Sequence, residues 1–178
     1  HVGRPLAGPA AGQLGLVGSA DEADRYARLT LRPPAELGYE EKMYIVKHFF
    51  SLAPQTIKES RRLFELMGKR GRTISDSAIP GVIKQFTDQD FLDLQVLFNL
   101  VWFGKKAVSE RARLGEFLAK GSDYSNEDKE EVLAIQREEA ATVLGRYVDL
   151  RTRGQVEVSF TPYSHPILPL LIDSACAA

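Results

Sequence analysis

The residues from Thr87 to Phe103 are predicted to form a helix that is apolar on nearly all of its sides. The apolar side chains in this stretch are Phe91, Leu92, Leu94, Val96, Leu97, Phe98, Leu100, Val101, Trp102 and Phe103. A helix of this kind has no polar face to turn toward water and must be buried on most sides. In a chain of 178 residues it is expected to be the central helix, around which the other elements pack.

Further helices are predicted on both sides of this central helix. Their ranges are 21–31, 40–52, 55–69, 105–120 and 125–151. Pro54, Gly71 and Gly121 interrupt or end them. The run Ser125–Asp128 is typical of a helix start, because a capping side chain is followed by acids in the first turn. The last helix is predicted to bury one stripe, formed by Val132, Ile135, Val143, Leu144, Tyr147 and Leu150.

The two ends of the chain differ from the middle. Residues 1–20 are rich in Gly, Ala and Pro. They lack the large side chains whose burial would offset the entropy lost on ordering, so we expect a flexible arm. The chain begins at His1 rather than Met and stops at Ala178 within a helical pattern. We therefore expect it to be a piece of a longer polypeptide.

One strand is predicted, between Gly154 and Phe160. Val156, Val158 and Phe160 alternate with polar residues, which places the apolar side chains on one face. A break at Thr161-Pro162 follows, and a helix is predicted from Ser164 onward. A strand that leads into a helix through a short loop is the repeating unit of an α/β barrel. Because one strand cannot form a sheet, its partners either lie in loops or lie outside the chain, and the second interpretation is the more economical.

The composition excludes several classes of partner. Lys and Arg number 23 against 24 Asp and Glu, and the formal net charge is -1. A nucleic-acid-binding surface would need a basic patch, and a membrane span would need an apolar run of about 18 residues; the sequence offers neither. The single Cys176 fits a reducing compartment, and we expect a cytoplasmic protein. Three scattered histidines offer no metal-ligand spacing, so we expect no metal and no cofactor.

Four residues are candidates for a binding site. Glu157 lies on the polar face of the predicted strand, where it either belongs to a site or is an exposed edge residue. His165 follows the strand near a helix start and either donates to a ligand or caps the helix. Tyr163 and Trp102 are aromatic candidates for stacking on a ligand, although aromatic residues at helical spacing more often belong to the core. His48 is interpreted as structural.

These residues carry a resemblance to a known family. The stretch 154–171, G-Q-V-E-V-S-F-T-P-Y-S-H-P-I-L-P-L-L, resembles the second conserved region of glycoside hydrolase family 57. The segment 93–103, D-L-Q-V-L-F-N-L-V-W-F, resembles the N-L-A-W-F-D helix of that family, with Gly104 in place of its acidic residue. Phe49-Phe50 and the run 63–71 are two further matches. Together they extend over about residues 25–172 in the order that the family has.

The resemblance implies a fold and a substrate. The fold would be α/β, a fragment of a (β/α)7-type barrel that is mainly helical with one clear strand. Residues 21–178 would form a partial catalytic domain, with a helical insertion at 21–153 and the barrel strand and its helix at 154–178. The substrate would be an α-glucan, bound in part by His165, Glu157, Tyr163 and Trp102. The remainder of the parent polypeptide would complete the enzyme.

The catalytic carboxylates are expected outside this chain. A retaining glycosidase needs a nucleophile and an acid/base about 5 Å apart. In the family these residues lie in the third and fourth conserved regions, which follow the second, and the opening H-Q-P motif is also missing here. We therefore name no catalytic residue and expect the chain to be inactive alone. The alternative is a non-catalytic helical module that binds a partner protein in a groove beside the helix 87–103.

Overall fold

The described part of the chain is built from helices. A computed structural model describes the backbone of residues 20–159 and the side chains of residues 25–159. The helices are α1 (Ala20–Leu31), α2 (Tyr39–His48), α3 (Pro54–Glu59), α4 (Arg61–Arg70), α5 (Ile79–Gln85), α6 (Asp88–Leu100), α7 (Lys105–Glu110), α8 (Ala112–Lys120) and α9 (Asn126–Thr152). One turn of 3-10 helix, Pro34–Glu36, lies between α1 and α2. The predicted arm at 1–20, apart from Ala20, and the helix predicted from Ser164 lie outside these residues.

Helix α6 is the central helix, as the sequence predicts. Thr87 caps its start: the Thr87 side chain accepts from the backbone N–H of Asp90, and the Asp90 carboxylate accepts from the N–H of Thr87. All residues from Asp90 to Leu100 are buried. The core around α6 takes side chains from most other helices, including Ile45, Val46, Phe49, Leu63, Leu66, Leu114, Phe117, Val132 and Ile135.

Two of the predicted helices are each divided into two shorter ones. The range 55–69 becomes α3 and α4, because Ser60 adopts an extended backbone and its side chain caps the N–H of Leu63. The range 105–120 becomes α7 and α8, with Arg111 extended between them. Helix α5 was not predicted; its seven residues include Pro80 and Gly81, which are weak helix formers.

The predicted strand is absent, and the α/β fold class is wrong for the described residues. Between residues 20 and 159 the structure contains helices and irregular segments and no strand. Gly154 has a φ of 66° and closes α9, with its N–H donating to Arg151 and that of Gln155 donating to Leu150 at 3.0 Å. Gly154 and Gln155, at the start of the predicted strand, therefore form the C-terminal cap of α9. The alternation has no neighbouring strand to pair with in this part of the chain, and an isolated strand leaves its backbone groups unpaired.

Helix α9 buries only the first half of its predicted stripe. Val132 and Ile135 are in the core, but Leu144 is 58% exposed, and Val143 and Tyr147 are exposed as well. The prediction of one continuous buried stripe is wrong, because these three side chains of the second half are exposed. The chain divides between Ala140 and Ala141 into two compact units. The structure describes residues 20–140 of the first unit and residues 141–159 of the second.

A buried ion cluster joins α4 to α6. The guanidinium of Arg62 donates to Asp93 through Nε and to Asp90 through Nη2, both at 2.8 Å. The Nζ of Lys69 donates to both oxygens of Asp90, at 2.9 and 2.7 Å. Asp93 also accepts from the side chain of Gln89 and from the backbone N–H of Tyr124. Both carboxylates are almost completely buried, so their charges depend on these partners.

We expect Arg62→Leu to destabilise the first unit by about 3–5 kcal/mol, because it removes one partner of a buried ion cluster. Denaturant unfolding followed by circular dichroism measures the effect. The neighbouring Arg61→Leu is the matched control, because the Arg61 side chain is 94% exposed and pairs with Glu65 on the surface. Equal effects of the two substitutions would contradict the role of the cluster.

Candidate functional site

The structure describes two of the four predicted site residues. Glu157 is exposed in the irregular segment that follows α9. Trp102 lies just after the end of α6, in a turn where its N–H donates to the carbonyl of Asn99. His165 and Tyr163 lie outside the described residues. Trp102 belongs to the first compact unit and Glu157 to the second, so each is considered separately.

Trp102 is exposed, and its interpretation as a core residue is wrong. Its side chain is 62% exposed, although the residues before it on α6 are buried. The ring makes an edge contact with Phe98: the Trp102 and Phe98 centroids are 6.3 Å apart at an interplanar angle of 77°. Phe98 is itself buried. A large aromatic ring is thus presented to solvent at the end of the most buried helix.

A row of rings, which we call the aromatic strip, continues from Trp102 across α6, α1 and α2. Phe98 stacks on Tyr26 with centroids 5.5 Å apart, and Tyr26 meets Tyr44 edge-on at 5.5 Å. Tyr44 stacks on His48 at 4.2 Å. The strip therefore consists of Trp102, Phe98, Tyr26, Tyr44 and His48.

The end of the aromatic strip that lies away from Trp102, at Tyr44 and His48, carries charge and hydrogen-bonding groups. The guanidinium of Arg25 lies 3.9 Å from the centre of the Tyr44 ring. Arg25, Tyr44 and His48 are all half-buried, so each keeps part of its surface in solvent. Sequence reasoning missed this group, although a signal existed. Tyr44 and His48 on α2 are four residues apart, which places both on one face of that helix, and Phe98 and Trp102 have the same spacing.

An open groove runs beside α6, as the alternative interpretation requires. Its volume is about 1160 Å³, and its apolar lining includes Leu97, Leu100, Val101 and Phe103. Charged side chains of α3 and α4, among them Glu59, Arg61 and Glu65, line the groove together with Lys105 and Lys120. Trp102 does not line this groove, so the groove and the exposed ring are separate features.

The buried carboxylates do not form a catalytic pair. Burial alone would raise the pKa of Asp90, but hydrogen bonds from Lys69 and Thr87 outweigh it and hold that pKa below its ordinary value. A glycosidase acid needs the opposite, a raised pKa. Asp93 accepts from Arg62, Gln89 and Tyr124 and is fully buried. These two residues therefore hold the fold together.

Lys129 is a buried base without a carboxylate partner among the described residues. It is 2% exposed, and its Nζ donates to the carbonyl of Arg32 at 2.9 Å and to the side-chain oxygen of Gln95 at 3.3 Å. Burial lowers the pKa of Lys129 to about 8, against weaker opposing effects of Glu130 and Glu36. Its surroundings are the closed core, so we assign it a structural role.

No group of three or more His, Cys, Asp or Glu side chains within 25–159 is arranged to hold a metal ion. No helix of the described chain combines the length and the apolarity that crossing a membrane requires.

The family comparison agrees with the sequence resemblance. The model of glycosyl hydrolase family 57 matches residues 24–178. Because this match covers most of the chain, the chain belongs to that family. Membership implies a glycoside hydrolase whose substrate is a carbohydrate. Searches of curated proteins and of solved structures each found no match.

We expect the stability difference between the wild type and Lys129→Met to depend on pH. The folded-state pKa of Lys129, about 8, lies below the ordinary lysine pKa of 10.5. Between these values the unfolded chain binds the proton that the folded chain has released, so the free energy of unfolding rises with pH. Relative to Lys129→Met, the wild type should gain about 2 kcal/mol from about pH 7.5 to about pH 10.

Denaturant unfolding at several pH values measures this difference. Lys84→Met, at an exposed position of α5, is the control and should show no comparable change. A difference between Lys129→Met and the wild type that stays constant with pH would mean that Lys129 is charged throughout this range in the folded protein.

Proposed function

We propose that the complete protein acts on the α-glucosidic bonds of α-glucans in carbohydrate metabolism, by a retaining mechanism. The family match across residues 24–178 carries this proposal. It includes the stretch 154–171, whose letters resemble the second conserved region of the family. This chain contributes residues that bind the substrate.

The catalytic carboxylates are proposed to come from residues outside this chain. A retaining mechanism needs two carboxyl groups about 5 Å apart, one as nucleophile and one as acid/base. Asp90 and Asp93, the buried carboxylates of α6, are engaged by Arg62 and Lys69. The family motifs that supply the two carboxyl groups are expected in residues outside this chain, which leaves a binding role for the chain itself.

The proposed binding residues are His165, Glu157, Tyr163 and Trp102. His165 would donate to a sugar hydroxyl, and Glu157 would accept from one. Tyr163 and Trp102 would stack on sugar rings, since their faces are apolar and each keeps a polar group at its edge. The exposure of the Trp102 ring supports its part of this assignment.

The groove beside α6 favours a second candidate function, a helical module that binds a partner protein. Its apolar lining with charged residues at the sides would suit an amphipathic helix. Family membership weighs against partner binding as the main function, because the family match covers nearly the whole chain.

We expect the purified 178-residue chain to release no sugar from an α-glucan such as soluble starch. The physical reason is that the nucleophile and the acid/base of the two-step reaction are proposed to lie outside this chain. Release of reducing ends measures activity. Turnover that a single substitution within residues 1–178 abolishes would show that this chain contains the catalytic residues after all.

In the complete protein, His165→Ala should lower turnover by roughly 10²-fold while leaving the melting temperature unchanged. A hydrogen bond to the substrate that strengthens in the transition state has an effect of this size. Turnover and thermal melting are measured on the same preparation. If the melting temperature falls by several degrees while turnover per folded molecule is retained, His165 packs in the structure and does not bind substrate.

A further inference from the structure

We propose that the aromatic strip binds an α-glucan chain, with Trp102 stacking on one glucose ring and with Arg25 and His48 hydrogen-bonding to hydroxyls further along the chain. This inference rests on the proposed function for its choice of ligand. It adds Arg25, Tyr44 and His48 to the binding residues, and it assigns them to the surface that α1, α2 and the end of α6 form.

The chemistry of a glucose ring matches the two ends of the strip. Each ring has faces of C–H groups and a rim of hydroxyls, so it needs an apolar surface beside hydrogen-bonding groups. Trp102 supplies a large apolar face in solvent. Arg25 carries only donors, and a histidine ring can both donate and accept. Hydroxyls, which do both, are suitable partners for this pair.

The rings that support Trp102 are packed into the core. Phe98, which holds the edge contact with Trp102, packs between buried neighbours and lies 4.5 Å from the centroid of Phe49. Tyr26 stacks on both Phe98 and Phe49. These rings belong to the packed core that three helices form. The side chains that support Trp102 therefore lose little conformational entropy when a ligand binds.

Tyr44 is a positioning residue. Its ring contacts Arg25 at 3.9 Å and His48 at 4.2 Å, which keeps the two polar groups close together. Its other neighbour is Tyr26, which continues the row toward Trp102. Removing the Tyr44 ring would free both polar side chains without touching Trp102, so the two ends of the strip can be tested independently.

A glucan fits the strip better than a protein partner does. The exposed apolar group at the end of α6 is the Trp102 ring, whereas residues Asp90 to Leu100 of the helix are buried. A partner helix would need a continuous apolar row. Within the described residues an apolar lining of this kind occurs in the groove beside α6, and Trp102 is not among the residues that line that groove.

Fluorescence titration of the 178-residue chain tests the proposal, because Trp102 is its single tryptophan. The probe is maltoheptaose, a linear α-linked glucose oligomer. We expect a saturable change in Trp102 emission. Tyr44→Leu should weaken binding about fivefold or more, since it removes the positioning of two hydrogen-bonding groups. Tyr39→Leu, an exposed tyrosine on the same helix, is the matched control and should bind like the wild type.

Two further variants keep the test independent of folding. Arg25→Gln removes the charge at the polar end of the strip while keeping the α1 helix, and it should also weaken binding. If Tyr44→Leu proves unstable in a thermal melt, Arg25→Gln tests this end of the strip in its place. Trp102→Ala, titrated by calorimetry because it has lost the reporter, should show no measurable binding. Wild-type affinity in Trp102→Ala, or in both Tyr44→Leu and Arg25→Gln, would overturn the proposal.

The ligand and the function are separated by two more measurements. Cellohexaose, a β-linked glucose oligomer, should bind more weakly than maltoheptaose, and equal binding would overturn the assignment to α-glucans. Absence of any emission change with maltoheptaose would overturn the strip as a binding site. Turnover of starch by the complete protein tests the proposed function alone, so activity without binding to this chain refutes the strip and leaves that function standing.

Discussion

The structure depends on a helix that is buried on all sides and still carries polar side chains. Asp90, Asp93, Gln95 and Asn99 of α6 are all buried. An unpaired buried polar group costs about 1–3 kcal/mol and an unpaired charge costs more. Each of these four side chains has partners, and no buried side-chain N or O atom of the described residues lacks one. The neighbouring helices can therefore pack on α6 only in positions that supply those partners.

Local signals in the sequence were sufficient to predict α6 and the start of α9. Apolar residues occur on nearly all sides of α6, and Thr87 and Ser125 have the spacing of capping residues. The breaks at Ser60 and Arg111 depend on single backbone conformations, which periodicity does not report. The strand failed for a different reason. Alternation of apolar and polar residues is necessary for a half-buried strand, but pairing comes from distant parts of a chain, and a single segment does not reveal it.

The candidate site was predictable only in part. Trp102 could be named as an aromatic candidate, but its exposure depends on where α6 ends, and the apolar pattern continues past that point to Phe103. The aromatic strip joins residues from three helices, so no single window of sequence contains it. The ion cluster was also hidden, because the acids of α6 look like ordinary surface residues until Arg62 of α4 is placed beside them.

The polar residues of α6 also determine where the aromatic strip lies. The last carbonyls of a helix have no partner within it and need donors from elsewhere. At the end of α1 the side chain of Gln95 donates to the carbonyl of Leu29 at 2.6 Å, and Gln95 and Lys129 both donate to the carbonyl of Arg32.

The ammonium of Lys129 thus lies at the negative end of the α1 dipole, which favours a cation there. Asn99 adds a contact to the hydroxyl of Thr30 at 3.2 Å. These bonds hold α1 against α6, and α1 carries Arg25 and Tyr26. The network that stabilises the core is therefore the same network that sets the distance between the polar end of the strip and Trp102.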